Sequence, residues 1–326
     1  MSMFASIRKH LFSTKFNYEY SLTRSEIQFI KKNYKIKLVK EKVPPIAIFC
    51  LDSRTFAYGF ADRLRGIISC YAYAKAVNIP FRIEHVDPFE LSDYLVPNSY
   101  DWQIKFGEKS NNLLYANPVF FVQNIPNIRS MRLFKTNNKR QHHLYTNADY
   151  IKEVNDKYNK NYVFGDLYTE LFKPSMQLEK MIDGLKLQIG GSYVSVSFRF
   201  MQLMGDFKDC YGDILSEEDK NDLLEKSLSL VMSLYEKEQK TVLVTSDSQT
   251  FIDTVSKLNF VYTIPGEIGH IGFSQDKKVI EKMFIDFCMI SQAEHVYMAY
   301  SGKMYRSNFA KTAAMSNNTP YTEIPY

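Results

Sequence analysis

The sequence predicts an α/β fold built on parallel sheets. Short apolar runs typical of buried parallel strands recur along the chain, and segments with apolar residues at helical spacing follow several of them. The length adds a third observation, because 326 residues exceed what one hydrophobic core usually spans. We therefore expect two domains, residues 1–165 and residues 166–326, each with a sheet of this kind.

The first half contains one clear βαβ unit. The apolar run IAIFCL, residues 46–51, follows two prolines and is typical of a buried parallel strand. The apolar residues of the next segment fall on one helical face: Phe60, Leu64, Ile67, Ile68, Tyr71 and Ala72. A second strand is predicted at residues 79–83. Residues 84–165 are rich in Asn, Tyr and Pro, which predicts loops and small helices, with the adjacent His142 and His143 in a loop.

The second half alternates strands and helices more regularly. Apolar runs predict strands at residues 193–198, 241–247, 260–263 and 295–300. Helical spacing predicts helices at residues 217–236, 249–258, 277–292 and 305–315. Ser216 is a candidate N-cap for the first of these helices, because three acidic residues follow it where a helix start favours negative charge. This alternation is typical of a doubly wound parallel sheet.

Composition and charge indicate a globular protein of the cytoplasm. The net charge of +5 is spread over interspersed basic and acidic residues, which argues against a nucleic-acid partner. The four cysteines are scattered without zinc-ligand spacing, and three of them lie in apolar segments, where buried free thiols in a reducing compartment explain them best. No apolar run has the length and continuity of a signal peptide or a membrane helix.

The N-terminal stretch offers a second interpretation of location. Phe4, Ile7, Leu11 and Phe16 are interspersed with basic residues, a pattern that fits peripheral contact with an anionic membrane surface. A helix packed on its own domain explains the same pattern, and we prefer it because a short basic amphipathic stretch is a weak signal.

Polar residues directly follow three strands of the second half. In open parallel sheets, ligands bind beyond the carboxyl ends of the strands. Arg199 would present a planar set of donors to a diphosphate, and Asp247 would accept hydrogen bonds from a base or ribose. Ser301, Gly302 and the first amides of the helix near Tyr305 would offer N–H groups to phosphate. For each residue taken alone, an exposed charge or an ordinary helix cap is the alternative.

A second candidate site lies in the segment GFADRLRGI, residues 59–67, at the start of the first predicted helix. Asp62, Arg63 and Arg65 fall in its first turns. Cations at a helix N-terminus oppose the helix dipole, so two arginines there need a local reason. An anionic ligand is one such reason and pairing with Asp62 or another acid is the other, and both stay open.

Several motifs are missing from the sequence. No D-x-D follows a strand, where two carboxylates would hold the cation that bridges a diphosphate. The sequence also has no Walker loop and no G-x-G-x-x-G after the first strand, so kinase and dinucleotide-binding hypotheses lose support. We therefore expect neither a metal nor a cofactor.

Taken together, these segments resemble the fucosyltransferase superfamily with the GT-B arrangement, which includes nodulation, core, xyloglucan and protein O-fucosyltransferases. GFADRLRGIISCYAYAKAVNIPFRI is similar to the family's Gly-x-x-Asn-Arg-Leu helix start, with Asp62 in place of Asn. VSVSFRF is similar to its phosphate-binding H-x-R strand end, with Arg199 matching and Ser197 in place of His. VTSD resembles its Thr-Asp strand end, whose acid lies near the nucleoside. MAYSGKMYRSNFAKTAAM resembles its last motif, where Ser301 and Ser307 match serines that close on the donor diphosphate.

The resemblance implies two Rossmann-like domains facing a cleft, with residues 1–165 on the acceptor side and residues 166–326 binding a GDP-sugar. It also implies metal-independent, inverting transfer of a sugar, fucose as the best guess, to a glycan or lipid-linked glycan acceptor. The donor-binding residues would be Arg63, Arg199, Asp247, Ser301, Gly302, Tyr305 and Ser307. The catalytic candidates are Arg199, Asp206 and Asp62, with Asp209 a further acid near Arg199. The arginine and the helix N-terminus would replace a cation at the departing diphosphate.

Three alternatives stay open at this point. The chain could transfer the sugar of another nucleotide donor. It could be a glycan-binding protein with a decayed transferase fold, which Ser197 and Asp62 make conceivable, and such a protein would no longer bind GDP. It could also be an unrelated nucleotide enzyme on a doubly wound sheet, because fold does not fix function.

Overall fold

The computed structural model describes residues 24–51, 59–121, 140–207, 213–269 and 276–326. The chain divides into two units. Unit 1 comprises Met1–Ala57, Asp62–Asp87 and Tyr100–Val163, and unit 2 comprises Tyr58–Ala61, Pro88–Ser99 and Phe164–Tyr326. The chain passes from unit 1 to unit 2 for the last time after Val163, two residues before the boundary expected from the sequence. Two short segments of unit 2 come from the first half of the chain.

The described residues form strands and helices that we number along the chain. The strands are β1 (Ala47–Leu51), β2 (Phe81–His85), β3 (Leu95–Pro97), β4 (Ala116–Phe121), β5 (Gln141–Thr146), β6 (Phe172–Pro174), β7 (Tyr193–Phe198), β8 (Thr241–Ser246), β9 (Val261–Thr263), β10 (Val296–Tyr300) and β11 (Tyr321–Pro325). The helices are α1 (Arg24–Asn33), α2 (Phe60–Ala76), α3 (Ile151–Tyr158), α4 (Phe164–Leu171), α5 (Met176–Ile189), α6 (Glu217–Glu238), α7 (Gln249–Val255), α8 (Lys277–Ser291) and α9 (Asn308–Ser316).

Unit 1 is built on a four-stranded parallel sheet with the order β2-β1-β5-β4. The predicted βαβ unit is confirmed as β1, α2 and β2. All five residues of β1 are buried, as expected of a parallel strand covered on both faces. The apolar face predicted for α2 is also buried, from Phe60 to Ala72.

The expectation of loops and small helices in residues 84–165 is wrong in part, because β4 and β5 of this sheet lie there. His142 and His143 belong to β5 and are buried, rather than lying in a loop. A hydrogen-bond network satisfies the ring of His143: its Nδ1 lies 2.7 Å from the hydroxyl of Tyr34, and its Nε2 lies 3.1 Å from Oε1 of Gln141. Burial lowers the pKa of His143 well below its ordinary value.

Gly66 of α2 sits directly against the end of β5. A Cβ built there would lie 2.9 Å from the carbonyl carbon of Thr146 and closer still to its oxygen. Gly66→Ala should therefore lower the free energy of unfolding by about 1–3 kcal/mol through overpacking, measured by urea denaturation. The matched control is Gly184→Ala in α5, where nothing lies within 4 Å of the added Cβ. It should raise stability by up to about 1 kcal/mol through helix propensity, and equal effects of the two variants would contradict the packing argument.

Unit 2 carries a five-stranded sheet with the order β11-β10-β7-β8-β9. All four strand pairs are parallel, and a helix follows each of the first four strands. Counted from β7, the order is 3-2-1-4-5, which is the Rossmann order of a doubly wound sheet. A short antiparallel pair of strands, β3 with β6, also belongs to unit 2. The predicted fold class, two Rossmann-like units with parallel sheets, is confirmed.

Element boundaries in unit 2 agree closely with the pattern, with two exceptions. The predicted cap of α6 is confirmed, since Oγ of Ser216 accepts a hydrogen bond of 3.2 Å from the amide of Asp219. The last predicted helix begins at Asn308 rather than near Tyr305, because Ser307 is its N-cap. Helices α4 and α5 and strands β3, β6 and β11 of this unit were not predicted.

Three features bear on location. Cys50, Cys70 and Cys288 are buried free thiols, as predicted, whereas Cys210 lies outside the described residues. The basic amphipathic stretch at residues 4–16 also lies outside them. In the part of the chain that the structure describes, every helix is too short or too polar to cross a lipid bilayer.

Candidate functional site

The strand order of unit 2 marks one position on its sheet. The chain leaves β7 in one direction through β8 and β9 and then continues on the other side of β7 with β10 and β11. Ligands of doubly wound sheets bind at such a switch point, beyond the carboxyl ends of the two strands involved. Arg199 directly follows β7 and Ser301 directly follows β10. The structure therefore brings these two predicted residues to the same edge of adjacent strands.

Arg199 forms an ion pair with Asp247, which follows the neighbouring strand β8. Nη1 of Arg199 lies 3.1 Å from Oδ2 of Asp247, and the two side chains are 18% and 4% exposed. Burial raises the pKa of Asp247 above its ordinary value, while the Arg199 guanidinium and three backbone amides, those of Phe200, Met201 and Asp247 itself, oppose that shift. One nitrogen of the guanidinium is thus held by a carboxylate that is itself buried.

The carboxylate of Asp247 also organises the loop that follows β7. Its Oδ1 accepts a 2.8 Å hydrogen bond from the amide of Phe200, and its Oδ2 accepts a 2.7 Å bond from the amide of Met201. Met201 has a φ of 58°, a left-handed conformation that is costly for a side chain of this kind. The contacts with a base or ribose predicted for Asp247 stay a prediction. What the structure shows is a carboxylate that holds Arg199 and two loop amides.

Asp206 anchors the far end of the same loop. Its Oδ2 accepts 2.8 Å hydrogen bonds from the hydroxyl of Ser248 and from the amide of Thr250 at the start of α7. Directly after Asp206, the ring of Phe207 lies 4.7 Å from the Arg199 guanidinium, a cation–π contact. Asp206 is exposed, which leaves open its predicted role as a base. Asp209 lies outside the described residues.

The loop after β10 contacts the loop after β7 through its backbone. The amide of Tyr305 donates a 3.1 Å hydrogen bond to the carbonyl of Arg199. This amide is therefore used in a contact between two loops and is not one of the free amides of a helix N-terminus. The predicted role of Tyr305 as part of the first helical turn is therefore wrong, although its side chain is 53% exposed. Ser301 is half-buried, and Gly302 has a φ of 50°, which favours glycine. Ser307 caps α9 by accepting a hydrogen bond from the amide of Phe309.

Ser197 occupies the position where the resemblance would place a histidine. Its hydroxyl lies 2.7 Å from the hydroxyl of Thr245, its register partner on β8. The two hydroxyls satisfy each other across the strands, so the substitution is accommodated without an unpaired buried group. A contact that needs an imidazole ring is not available from this residue.

The candidates of unit 1 have partners within that unit. Arg63 is 2% exposed, and its Nη1 lies 3.2 Å from Nε2 of His85 and donates a 2.8 Å hydrogen bond to the carbonyl of Asp87. Burial lowers the pKa of Arg63 to about 10. Arg65 pairs with Asp62 one helical turn away. Two explanations were considered for the arginines at this helix start, an anionic ligand and internal pairing. The contacts in the structure are those of internal pairing.

Three residues that shape the site were not predicted: Phe207, the strained Met201 and Thr245. The sequence pattern predicted the residues that directly follow each strand, but it contains no information on the loop residues beyond them. Met201 has no turn signature that would predict a left-handed residue, since Gly or Asn is usual there. Among the described residues no group of three or more His, Cys, Asp or Glu side chains is arranged to hold a metal ion.

Known proteins with this fold are found by structure and not by sequence. No protein-family model and no curated protein sequence matches the chain. The structure of an Arabidopsis thaliana FUT1 mutant in complex with GDP is similar with a TM-score of 0.57 and 11% identity, over 99% of this chain and 79% of that one. The NodZ α-1,6-fucosyltransferase soaked with GDP-fucose is similar with a TM-score of 0.52 and 15% identity, over 84% of this chain and 92% of that one.

A second NodZ structure, co-crystallised with GDP, gives a TM-score of 0.51 at the same identity and coverage, and NodZ comes from Bradyrhizobium. At these identities the similarity concerns the fold. The predicted resemblance to the fucosyltransferase superfamily is confirmed at that level: the chain has the fold of the GT-B fucosyltransferases.

Proposed function

We propose that this protein is a glycosyltransferase that transfers a sugar, fucose as the best guess, from a GDP-sugar bound by unit 2. The observation that carries the proposal is the Arg199–Asp247 pair at the switch point of the doubly wound sheet. A planar donor group fixed at this place suits the diphosphate of a nucleotide sugar. Structural neighbours that bind GDP or GDP-fucose support the choice of donor.

The chemistry of the proposed site follows from the charge that grows on the leaving group. When the bond between the sugar and the diphosphate breaks, negative charge develops on the phosphate oxygens. A guanidinium carries five N–H donors in a fixed plane, so a bond from Nη1 to Asp247 is compatible with contacts to phosphate. Ser301, Gly302 and the amino end of α9, capped by Ser307, would add hydroxyl and amide donors. We propose that these groups replace a metal ion as the electrophile.

The acceptor would be a glycan or lipid-linked glycan, whose hydroxyl attacks the anomeric carbon of the donor sugar in line with the departing diphosphate and inverts that carbon. Asp206 is our first candidate for the base that takes the proton of the acceptor hydroxyl, because it is an exposed carboxylate on the loop that carries Arg199. Asp62 is the second candidate, although its carboxylate is paired with Arg65. Arg63 is buried and hydrogen-bonded within unit 1, whereas the exposed side chain of Tyr305 stays a candidate for contact with the donor.

We further propose that the protein works in the cytoplasm, with no nucleic-acid partner and no cofactor beyond its substrates. Peripheral contact with a membrane through residues 4–16 stays a prediction from the sequence. A cytoplasmic site is consistent with the buried free thiols.

GDP should raise the melting temperature of the protein, and EDTA should leave the shift unchanged. A ligand at a hundredfold excess over its dissociation constant stabilises the folded state by about 2.7 kcal/mol, which corresponds to about 4 °C in a protein of this size. The measurement is thermal unfolding with GDP, UDP and ADP, each with EDTA or with added magnesium or manganese. Stabilisation by UDP alone would overturn the guanine assignment, and a shift that requires metal would overturn the metal-independent mechanism.

A panel of GDP-sugars then separates the remaining alternatives. Hydrolysis of GDP-fucose in preference to GDP-mannose would support fucose as the transferred sugar, whereas the reverse order would assign another sugar to the same fold. A protein that binds glycans but shows no shift with any GDP compound would be the decayed transferase considered above.

A further inference from the structure

An exposed segment of unit 1 combines bare aliphatic side chains with lysines. It is the stretch KIKLVKEK, residues 35–42, which joins α1 to the strand β1 and which we call the basic apolar segment. Ile36, Leu38 and Val39 are 69%, 93% and 62% exposed. Each of its four lysines is exposed as well. Aliphatic groups exposed to this extent at one place mark a surface that is covered by something apolar when the protein works.

The fold holds this segment in place. The amide of Lys35 donates a 3.0 Å hydrogen bond to the carbonyl of Asn111, and the carbonyl of Lys35 accepts a 2.9 Å bond from the amide of Leu113. The side chain of Asn112 donates a 2.8 Å bond to the carbonyl of Lys37. These bonds fix the backbone of the segment while its aliphatic side chains remain in water.

The acidic residue of the segment is drawn inward. The carboxylate of Glu41 accepts hydrogen bonds from Ser110 and Asn112, and these bonds lower the pKa of Glu41 below its ordinary value. The charge that the segment presents outward is therefore that of its lysines. Lys31 and Lys32 of α1 are also exposed and extend the positive charge along the chain.

The segment lies at the amino ends of the strands of unit 1. It precedes β1, its partner Asn112 precedes β4, and the amide of Ser110 donates to Gln141 at the start of β5. A second exposed apolar side chain, the fully exposed Phe106, sits in a neighbouring turn two residues before Glu108, whose carbonyl bonds to Gln141. Amino ends of parallel strands share one edge of a sheet, opposite the edge where ligands bind. A surface that docks here leaves the carboxyl edge of this sheet uncovered.

From this arrangement we infer that the basic apolar segment docks unit 1 on an anionic lipid bilayer. Lysines attract the negative headgroups, and aliphatic side chains enter the boundary between headgroups and acyl chains. Nucleic acid would use the lysines but offers nothing to cover Leu38 and Val39. A second copy of the chain would bring like charges together. The inference does not depend on the proposed function, since it uses no residue of unit 2.

The test is co-sedimentation of the full chain with vesicles of phosphatidylglycerol mixed with phosphatidylcholine, compared with vesicles of phosphatidylcholine alone. The wild type should bind the anionic vesicles, and molar salt should weaken binding because it screens the lysines. Lys37→Gln with Lys40→Gln should lower the partition coefficient on the order of 25-fold, at about fivefold per lysine. Leu38→Ser with Val39→Ser should lower it on the order of tenfold through lost apolar contact.

A matched control uses the same exchanges on an exposed helix of unit 2. Lys180→Gln with Leu187→Ser changes an exposed lysine and an 84% exposed leucine of α5, and it should bind vesicles as the wild type does. All variants should keep the wild-type melting temperature, since the altered side chains are exposed. Wild-type binding by both segment variants, or absence of vesicle binding by the wild type, would overturn the inference. Binding of duplex DNA without vesicle binding would also overturn it. The same holds for a wild-type dimer that Leu38→Ser/Val39→Ser abolishes, if the wild type does not bind vesicles.

Discussion

Arg199→Lys should lose most of the transferase or donor-hydrolysis activity while the protein stays folded. Lysine keeps a positive charge beside Asp247 but cannot present a planar pair of donors to the diphosphate. Arg199→Ala removes both charge and geometry. By analogy with loss of an oxyanion donor, it should cost on the order of 3 kcal/mol of transition-state stabilisation, about a hundredfold in rate. The measurements are the initial rate with GDP-fucose and the melting temperature of each variant.

The ion pair makes the lysine variant the more informative of the two. Arg199→Ala leaves a 4% exposed carboxylate without its cation, so a lower melting temperature is expected and does not by itself argue against a catalytic role. A suitable control is Arg82→Lys on β2, because Arg82 also pairs with a carboxylate, Glu108, and is 15% exposed. It should retain wild-type activity. If Arg199→Lys is as active as the wild type, the diphosphate contact is wrong.

Strands dominated by an apolar run could be predicted from the sequence, whereas β5, which begins with three buried polar residues, could not. The runs that became β1 and β7 were located to within one residue. Strand β5, with the letters QHHLYT, was missed, since its buried His143 needs the partners Tyr34 and Gln141 that the structure supplies. Tyr34 lies far from His143 in sequence, and the contact with Gln141 forms only within the folded strand. Hydrophobic periodicity could therefore predict neither contact.

The candidate site shows the same division. The residues that follow strands could be named, because parallel strands bring their carboxyl ends to one edge. Their partners could not, since these depend on how each loop returns. The left-handed turn at Met201 directs two amides at Asp247, and the amide of Tyr305 bonds back to Arg199, three residues before the helix that it was expected to open. Side-chain types thus predict where a site lies, and backbone paths decide which atoms remain available in it.

Asp247→Asn should lower both stability and activity, and the activity loss should act through Arg199. Asparagine keeps the volume, and its oxygen can still accept from the amide of Phe200. Its NH₂ group would then face two donors, the amide of Met201 and Nη1 of Arg199, where the carboxylate oxygen now accepts. Breaking a buried pair at one partner costs about 3–5 kcal/mol, so unfolding in urea should show a loss on the order of 3 kcal/mol.

A double-mutant cycle with Arg199→Lys separates positioning from direct contact with the donor. If Asp247 acts by holding the guanidinium, its removal should cost little further activity once Arg199 is lysine, so the two losses will not add. If Asp247 itself contacts the base or ribose, as first expected from the strand-end pattern, the losses should add and the Michaelis constant for the donor should rise in both backgrounds. Asp222→Asn in α6 serves as the control, because its exposed pair with Lys226 should contribute at most about 0.5 kcal/mol. Full additivity of the two losses would therefore assign Asp247 to the donor and reject the positioning role.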